Sequence, residues 1–155
     1  MVSTVLVANR GEIACRILRA CSEAGLKSIA IYANNDRESM FVELATMSVE
    51  LVGETIGETY LDQQQILAIA AKYGADAIHP GFGFLSERAD FAKAVLHAGI
   101  TWIGPSPIAI EMMGDKMTAR RTMKAAGVPV IPGEEIDFED ETKMIEAIVQ
   151  ASTRV

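Results

Sequence analysis

Val2-Ser3-Thr4-Val5-Leu6-Val7-Ala8-Asn9-Arg10-Gly11-Glu12 is an apolar run that stops at a turn and restarts with a charge. Residues 2–8 are rich in β-branched side chains, the pattern of a strand buried on both faces. Asn9-Arg10-Gly11 is the turn. Residues 12–24 have helical periodicity and end at Gly25, a glycine placed to close a helix. Residues 28–33 are the next buried strand, closed by Asn34-Asn35-Asp36. Strand, tight turn, helix and second buried strand predict a parallel β-α-β unit.

The alternation continues. A short helix over 38–45 leads to a strand over 48–52 and then to a helix over 62–72, ended by Tyr73-Gly74. A strand over 76–79 meets the loop Pro80-Gly81-Phe82-Gly83-Phe84. A helix over 87–97 and a strand over 100–103 follow. The fold class expected is α/β, a doubly wound parallel sheet with helices on both faces and right-handed crossovers. After Gly104-Pro105-Ser106-Pro107 the pattern changes. Helices over 108–113 and 116–126 are interrupted at Gly114-Asp115, and residues 127–133 break or extend the chain. An acidic stretch over 134–141 precedes a last amphipathic helix over 142–151, with no strand after it. Residues 1–105 are therefore expected to form one domain and 106–155 the start of a second.

Half of the 155 residues are hydrophobic, 23% are charged, and the net charge is −7. A chain of this size buries about 70% of its unfolded surface and needs no staples. The acidic balance and the lack of a basic patch exclude a nucleic-acid binder as the expectation. No apolar run approaches the ~20 residues that span a bilayer, and no basic leader precedes the first strand. Cys15 and Cys21 share one helix without metal-binding spacing. They read as free thiols, which suits a reducing, cytoplasmic compartment.

Four places have chemical potential. At Asn9-Arg10-Gly11-Glu12-Ile13 only Gly11 is present, so the Gly-x-Gly-x-x-Gly loop of a dinucleotide site is missing. A tight turn with a capped helix is the better reading, and the spacing of Asp36 as a ribose acid is worth little. Glu12, Arg16, Arg19 and Glu23 form one polar stripe, opposite Ile13, Ile17, Leu18 and Cys21. From spacing alone a solvated face with i,i+4 pairs is favoured. The alternative is a self-complementary pattern in which Arg19 meets Glu23 across a twofold axis. The third place is the loop after His79, at the carboxyl end of a parallel strand, where open sheets bind ligands. Gly81 and Gly83 permit close backbone approach, and one of Phe82 and Phe84 is expected in the core with the other facing a ligand. His79 capping the strand over an all-structural loop is the equally weighted alternative. The fourth is Gly114-Asp115-Lys116, where a lysine opening a helix could meet a phosphate or sit on the surface with Asp115 as N-cap.

Taken together, Val5-Leu6-Val7-Ala8-Asn9-Arg10-Gly11-Glu12-Ile13-Ala14, Tyr60-Leu61-Asp62, Ala77-Ile78-His79-Pro80-Gly81-Phe82-Gly83-Phe84-Leu85-Ser86-Glu87, Ile103-Gly104-Pro105-Ser106-Pro107 and Met113-Gly114-Asp115-Lys116 resemble the biotin carboxylases, in order and spacing. The likeness runs over residues 2 to about 133 and is closest to the α subunits of acyl-CoA carboxylases, with pyruvate and urea carboxylases sharing the opening. It implies a Rossmann-like domain preceding an ATP-grasp domain whose beginning is residues 106–155. It implies an enzyme that uses Mg-ATP and bicarbonate to carboxylate biotin on a carrier protein. Lys116 matches a lysine that contacts ATP phosphate. His79, Gly81, Phe82 and Gly83 match the floor of the biotin-side pocket. Arg16, Arg19 and Glu23 match a homodimer interface on the helix over 12–24, which raises the assembly reading of that stripe.

The implied partners are the biotin carboxyl carrier domain, the rest of the biotin carboxylase and a carboxyltransferase subunit. The implied cofactors are ATP, Mg²⁺ and biotin, with none expected tightly bound to this stretch and no metal ligand or catalytic residue within it. Phe82 stands where relatives usually carry tyrosine, and Thr46-Met47 where an acidic pair is usual. The resemblance places a second ATP lysine, a glycine-rich lid, metal-binding glutamates and catalytic arginines beyond Val155. The stretch by itself is therefore expected to be inactive. Two rival readings are a non-catalytic assembly module and a nicotinamide-nucleotide oxidoreductase domain, the second opposed by the absent glycine loop.

Overall fold

The computed structural model describes residues 2–114, 116–130 and 145. Five strands form one parallel sheet: β1 (Thr4–Val7), β2 (Lys27–Tyr32), β3 (Met47–Glu50), β4 (Ala77–His79) and β5 (Thr101–Trp102). Their order is β3-β2-β1-β4-β5, and every neighbouring pair is parallel. The chain steps outward from β1 to one edge, then returns to the other side of β1. The β1/β4 junction is the point where the winding reverses, and crevices of such sheets open there.

The helices are α1 (Gly11–Glu23), α2 (Met40–Leu44), α3 (Gln63–Tyr73), α4 (Ala89–His97), α5 (Pro107–Gly114) and α6 (Lys116–Ala125). Alternate strand residues face opposite layers. Val5, Val7, Ala30 and Ala77 pack with Ala14, Ile17, Leu18 and Cys21 of α1 and Phe41 of α2. Leu6, Ile29, Ile31, Ile78 and Trp102 pack with Ile66 and Ile69 of α3, Phe91 and Val95 of α4, and Ile110 of α5. Phe91 meets Trp102 edge-on at 5.7 Å. Strands buried on both sides explain the unbroken apolar runs of the sequence.

The chain divides into two compact units, Met1–Glu111 and Met112–Val155. Burial of Ile110 ties the first turns of α5 to the first unit.

Local chemistry sets the element ends. After α1, Leu26 N–H bonds Cys21 C=O and Gly25 N–H bonds Ser22 C=O, with Gly25 at φ 70°, a Schellman closure. Asp62 accepts from Gln65 N–H at 3.0 Å and caps α3. Two differences from the sequence reading follow from local geometry. Residues Asn34–Asp36 and Phe84–Glu87 are single 3₁₀ turns, so α4 begins at Ala89 and not at 87. The turn before α1 lacks the expected cap, because Arg10 at that position makes no capping bond with its side chain. The expected helix over 142–151 lies outside the described residues, apart from Ile145.

Candidate functional site

Asn9 stands immediately after β1 and is 4% exposed. Its side-chain amide donates to Pro80 C=O at 2.7 Å and to Phe82 C=O at 2.9 Å, while its Oδ1 accepts from Arg10 N–H at 2.9 Å. One buried asparagine therefore fastens the loop after β4 to the turn after β1, at the winding reversal. Gly81 has φ 70°, and a Cβ there would lie 2.7 Å from Asn9 Nδ2. Gly83 also has a positive φ, 63°, but with ψ −166°, and its missing Cβ would meet nothing within 4 Å. Phe84, at φ 47°, is the one non-glycine residue with positive φ among the described residues.

The two phenylalanines separate as the sequence reading expected. Phe84 packs against the core cluster and stacks on Tyr60 at 5.7 Å and 10°. Phe82 is 61% exposed. It borders a cavity of about 430 Å³ with Arg10, Gly11, Glu12, Gly83 and Phe84. That volume suits a small organic ligand.

His79 belongs to a different opening. It lines a second cavity, of about 440 Å³, with Ile13, Arg16, Ile17 and Ile103 beside α1. Its Nδ1 accepts from Gly81 N–H at 3.0 Å, so the neutral ring carries its proton on Nε2. Burial pushes the His79 pKa below its ordinary value. Because the folded value is depressed, the neutral imidazole contributes fully above the unfolded pKa of about 6.5 and its contribution is lost as pH falls toward the folded value. Urea midpoints taken from pH 8 to pH 5 should therefore fall on acidification. A His79→Gln chain should show a shallower fall over the same range. Equal slopes in the two chains would remove His79 as the cause.

Asp36 and Tyr60 are the functional surprise. Asp36 is 6% exposed. Arg10 Nη2 donates to its Oδ1 at 2.5 Å and Tyr60 OH donates to its Oδ2 at 2.6 Å. Tyr60 OH also accepts from Ala33 N–H at 3.0 Å. Burial would raise the Asp36 pKa, but the hydrogen bonds from Arg10 and Tyr60 outweigh it and hold the carboxyl below the usual range. Both carboxylate oxygens are thus engaged within the protein. The ribose role suggested by the position of Asp36 finds no support in this geometry. Tyr60 was quoted in the sequence as part of a motif only, and its hydroxyl bridge carries no local signal.

On α1, Arg16, Arg19 and Glu23 are exposed, as is Glu12. The i,i+4 ion pairs of a self-satisfied face do not form among the described residues. Arg19 instead rests its Nη2 3.5 Å from Met40 Sδ. Cys21 is buried, and burial raises its thiol pKa, so it stays protonated and inert. Lys116 opens α6, but its side chain and Asp115 lie outside the described residues. Among the described residues no group of three His, Cys, Asp or Glu could hold a metal, and no helix is long and apolar enough to cross a membrane. These described residues therefore offer no ligand set for Mg²⁺.

Comparison with known proteins agrees with this arrangement. The family described as "Biotin carboxylase, N-terminal domain" matches residues 1–110. The biotin-dependent acyl-coenzyme A carboxylase alpha3 subunit of Mycobacterium leprae is 54% identical over 132 residues, which is 85% of this chain and 22% of that protein. The biotin carboxylase of Pseudomonas aeruginosa is 45% identical over 150 residues, 97% of this chain and 33% of that protein. A crystal structure of the biotin carboxylase domain dimer of Hydrogenobacter thermophilus 2-oxoglutarate carboxylase, in complex with MgADP, ADP and bicarbonate, superposes with a TM-score of 0.87. Sequence identity there is 42%, over 97% of this chain and 33% of that one. The chain thus spans a third or less of these relatives. With the parallel β3-β2-β1-β4-β5 sheet and the Asn9-clasped loop at its reversal point, it belongs to the biotin carboxylase N-terminal domain family.

Proposed function

We propose that this chain forms one wall of the active chamber of an ATP-dependent biotin carboxylase. Residues 1–105 act as the domain preceding the ATP-grasp fold, and 106–155 begin that fold. The observation that carries the reading is the loop held by Asn9, which presents Phe82 and Gly83 to open space at the winding reversal. Phe82 offers an apolar face to the biotin ring system, and Gly83 lets a ligand approach the backbone. His79 fixes the start of that loop through Gly81 N–H. Lys116 contacts ATP phosphate. Bound Mg²⁺ neutralises phosphate charge in such chemistry, with ligands supplied outside the residues described.

The reaction is activation of bicarbonate by ATP followed by carboxylation of biotin on a carrier domain, in the cytoplasm. A carboxyltransferase then uses the carboxyl group. The 54% identity to an acyl-CoA carboxylase subunit favours an acyl-CoA acceptor. The test is ATP hydrolysis by the protein carrying this domain, measured with bicarbonate and free biotin added singly and together. Hydrolysis should require bicarbonate and increase with biotin. Hydrolysis indifferent to both would overturn the reading.

The same reading makes α1 a homodimer contact in which Arg19 of one protomer meets Glu23 of the other. That neither forms an ion pair among the described residues supports this. Arg19→Glu should weaken the dimer at least about tenfold in sedimentation equilibrium, because like charges facing one another across an interface cost several kcal/mol. The double exchange of Arg19→Glu with Glu23→Arg should restore it. Unchanged sedimentation in the single variant would remove α1 from the interface.

A further inference from the structure

We propose that Tyr60 is a positioning residue for the ligand-facing loop, linking the Arg10–Asp36 pair to the backbone shape of residues 80–84. The inference rests on the biotin-side role given to that loop above. Residues 81, 83 and 84 all have positive φ. A phenylalanine in that region is strained, and such strain persists only where surrounding structure over-determines it. The Phe84 ring lies flat against Tyr60. Tyr60 cannot slide, because it is 2% exposed and its hydroxyl is held from two sides, by Asp36 Oδ2 and Ala33 N–H. Asp36 in turn is fixed by Arg10, whose guanidinium carbon also lies 5.7 Å from the Tyr60 ring centroid.

Two consecutive residues after β1 therefore grip one loop at two points. Asn9 holds the carbonyls of Pro80 and Phe82 directly. Arg10 holds Phe84 through Asp36 and Tyr60. Phe82 and Gly83, which face the open cavity, lie within the segment so gripped. Tyr60 is 2% exposed, and its hydroxyl bonds Asp36 and Ala33, so its effect on binding is exerted through loop shape.

Tyr60→Phe keeps the stacked ring and removes the bridge. In amide NMR spectra of this chain, the Gly81 and Gly83 resonances should shift. Val95→Ala serves as the control, since Val95 is fully buried in α4, takes no part in the bridge, and its truncation lowers stability. It should leave both resonances in place. In the protein carrying this domain, Tyr60→Phe should raise KM for free biotin about fivefold, the scale of one net hydrogen bond, with KM for ATP unchanged. Glycine resonances that match the parent in Tyr60→Phe, or that move equally in Val95→Ala, would overturn the positioning role. Shifted resonances with an unaltered biotin KM would confirm the relay and refute the biotin-side placement of the loop.

Discussion

Gly81→Ala should lower the unfolding free energy by about 3 kcal/mol, read as a reduced urea midpoint. Two costs add. A non-glycine residue in the left-handed region loses about 1 kcal/mol or more, and Gly81 sits at φ 70°. The new Cβ would also stand 2.7 Å from Asn9 Nδ2 and 3.0 Å from Asn9 Cβ. Asn9 is buried and has nowhere to retreat without releasing the Pro80 and Phe82 carbonyls, and a buried polar group left unpaired costs about 1–3 kcal/mol. Gly83→Ala carries a backbone cost alone. Its Cβ would meet open space, but φ 63° with ψ −166° lies in a region essentially reserved for glycine, so it should lose about 1–3 kcal/mol. A Gly81→Ala loss of no more than about 1 kcal/mol, the backbone cost alone, would show that the Asn9 clasp contributes nothing.

Asp36→Ala should destabilise the chain by about 2 kcal/mol, most of it from the Tyr60 hydroxyl. That hydroxyl is buried and loses its acceptor, at a cost of about 1–3 kcal/mol. Arg10 contributes little to the loss. Its side chain is 44% exposed and can turn to water once its partner is gone. The substitution should also flatten the acid limb of the stability curve. The folded Asp36 pKa is depressed below the unfolded value of about 3.9, so its contribution is complete above that value and is lost as pH falls through the folded one. The gap between parent and variant should narrow at low pH, keeping the part due to the Tyr60 hydrogen bond, which a neutral carboxyl can still accept. Parallel acid limbs would exclude Asp36 as a source of acid sensitivity.

The site is partly legible in the sequence. The loop after His79 was placed at the carboxyl end of a parallel strand, and one phenylalanine was expected inside and one outside. The structure identifies Phe84 as the inner ring and Phe82 as the outer one. Alternation along the chain could not choose between them, because a 3₁₀ turn begins at Phe84 and cancels any strand period. His79 and Phe82 stand close together in one loop of the sequence, yet they line separate cavities. For Asp36 the spacing of a ribose acid is worth little without the glycine loop. Its true partners are 26 and 24 positions away, at Arg10 and Tyr60.

The amino-acid order alone determined the alternation of strands and helices, the parallel sheet and the place where a crevice would open. Those follow from local rules: an apolar run buried on both faces, a periodic helix, and a glycine where the chain must turn left-handed. Tertiary structure alone decided which side chains meet across the reversal point. Asn9, Arg10, Asp36, Tyr60 and Phe84 come from four separate connections of the sheet. Their pairing depends on the spacing and register of strands β1, β2 and β4, which no window of neighbouring residues contains.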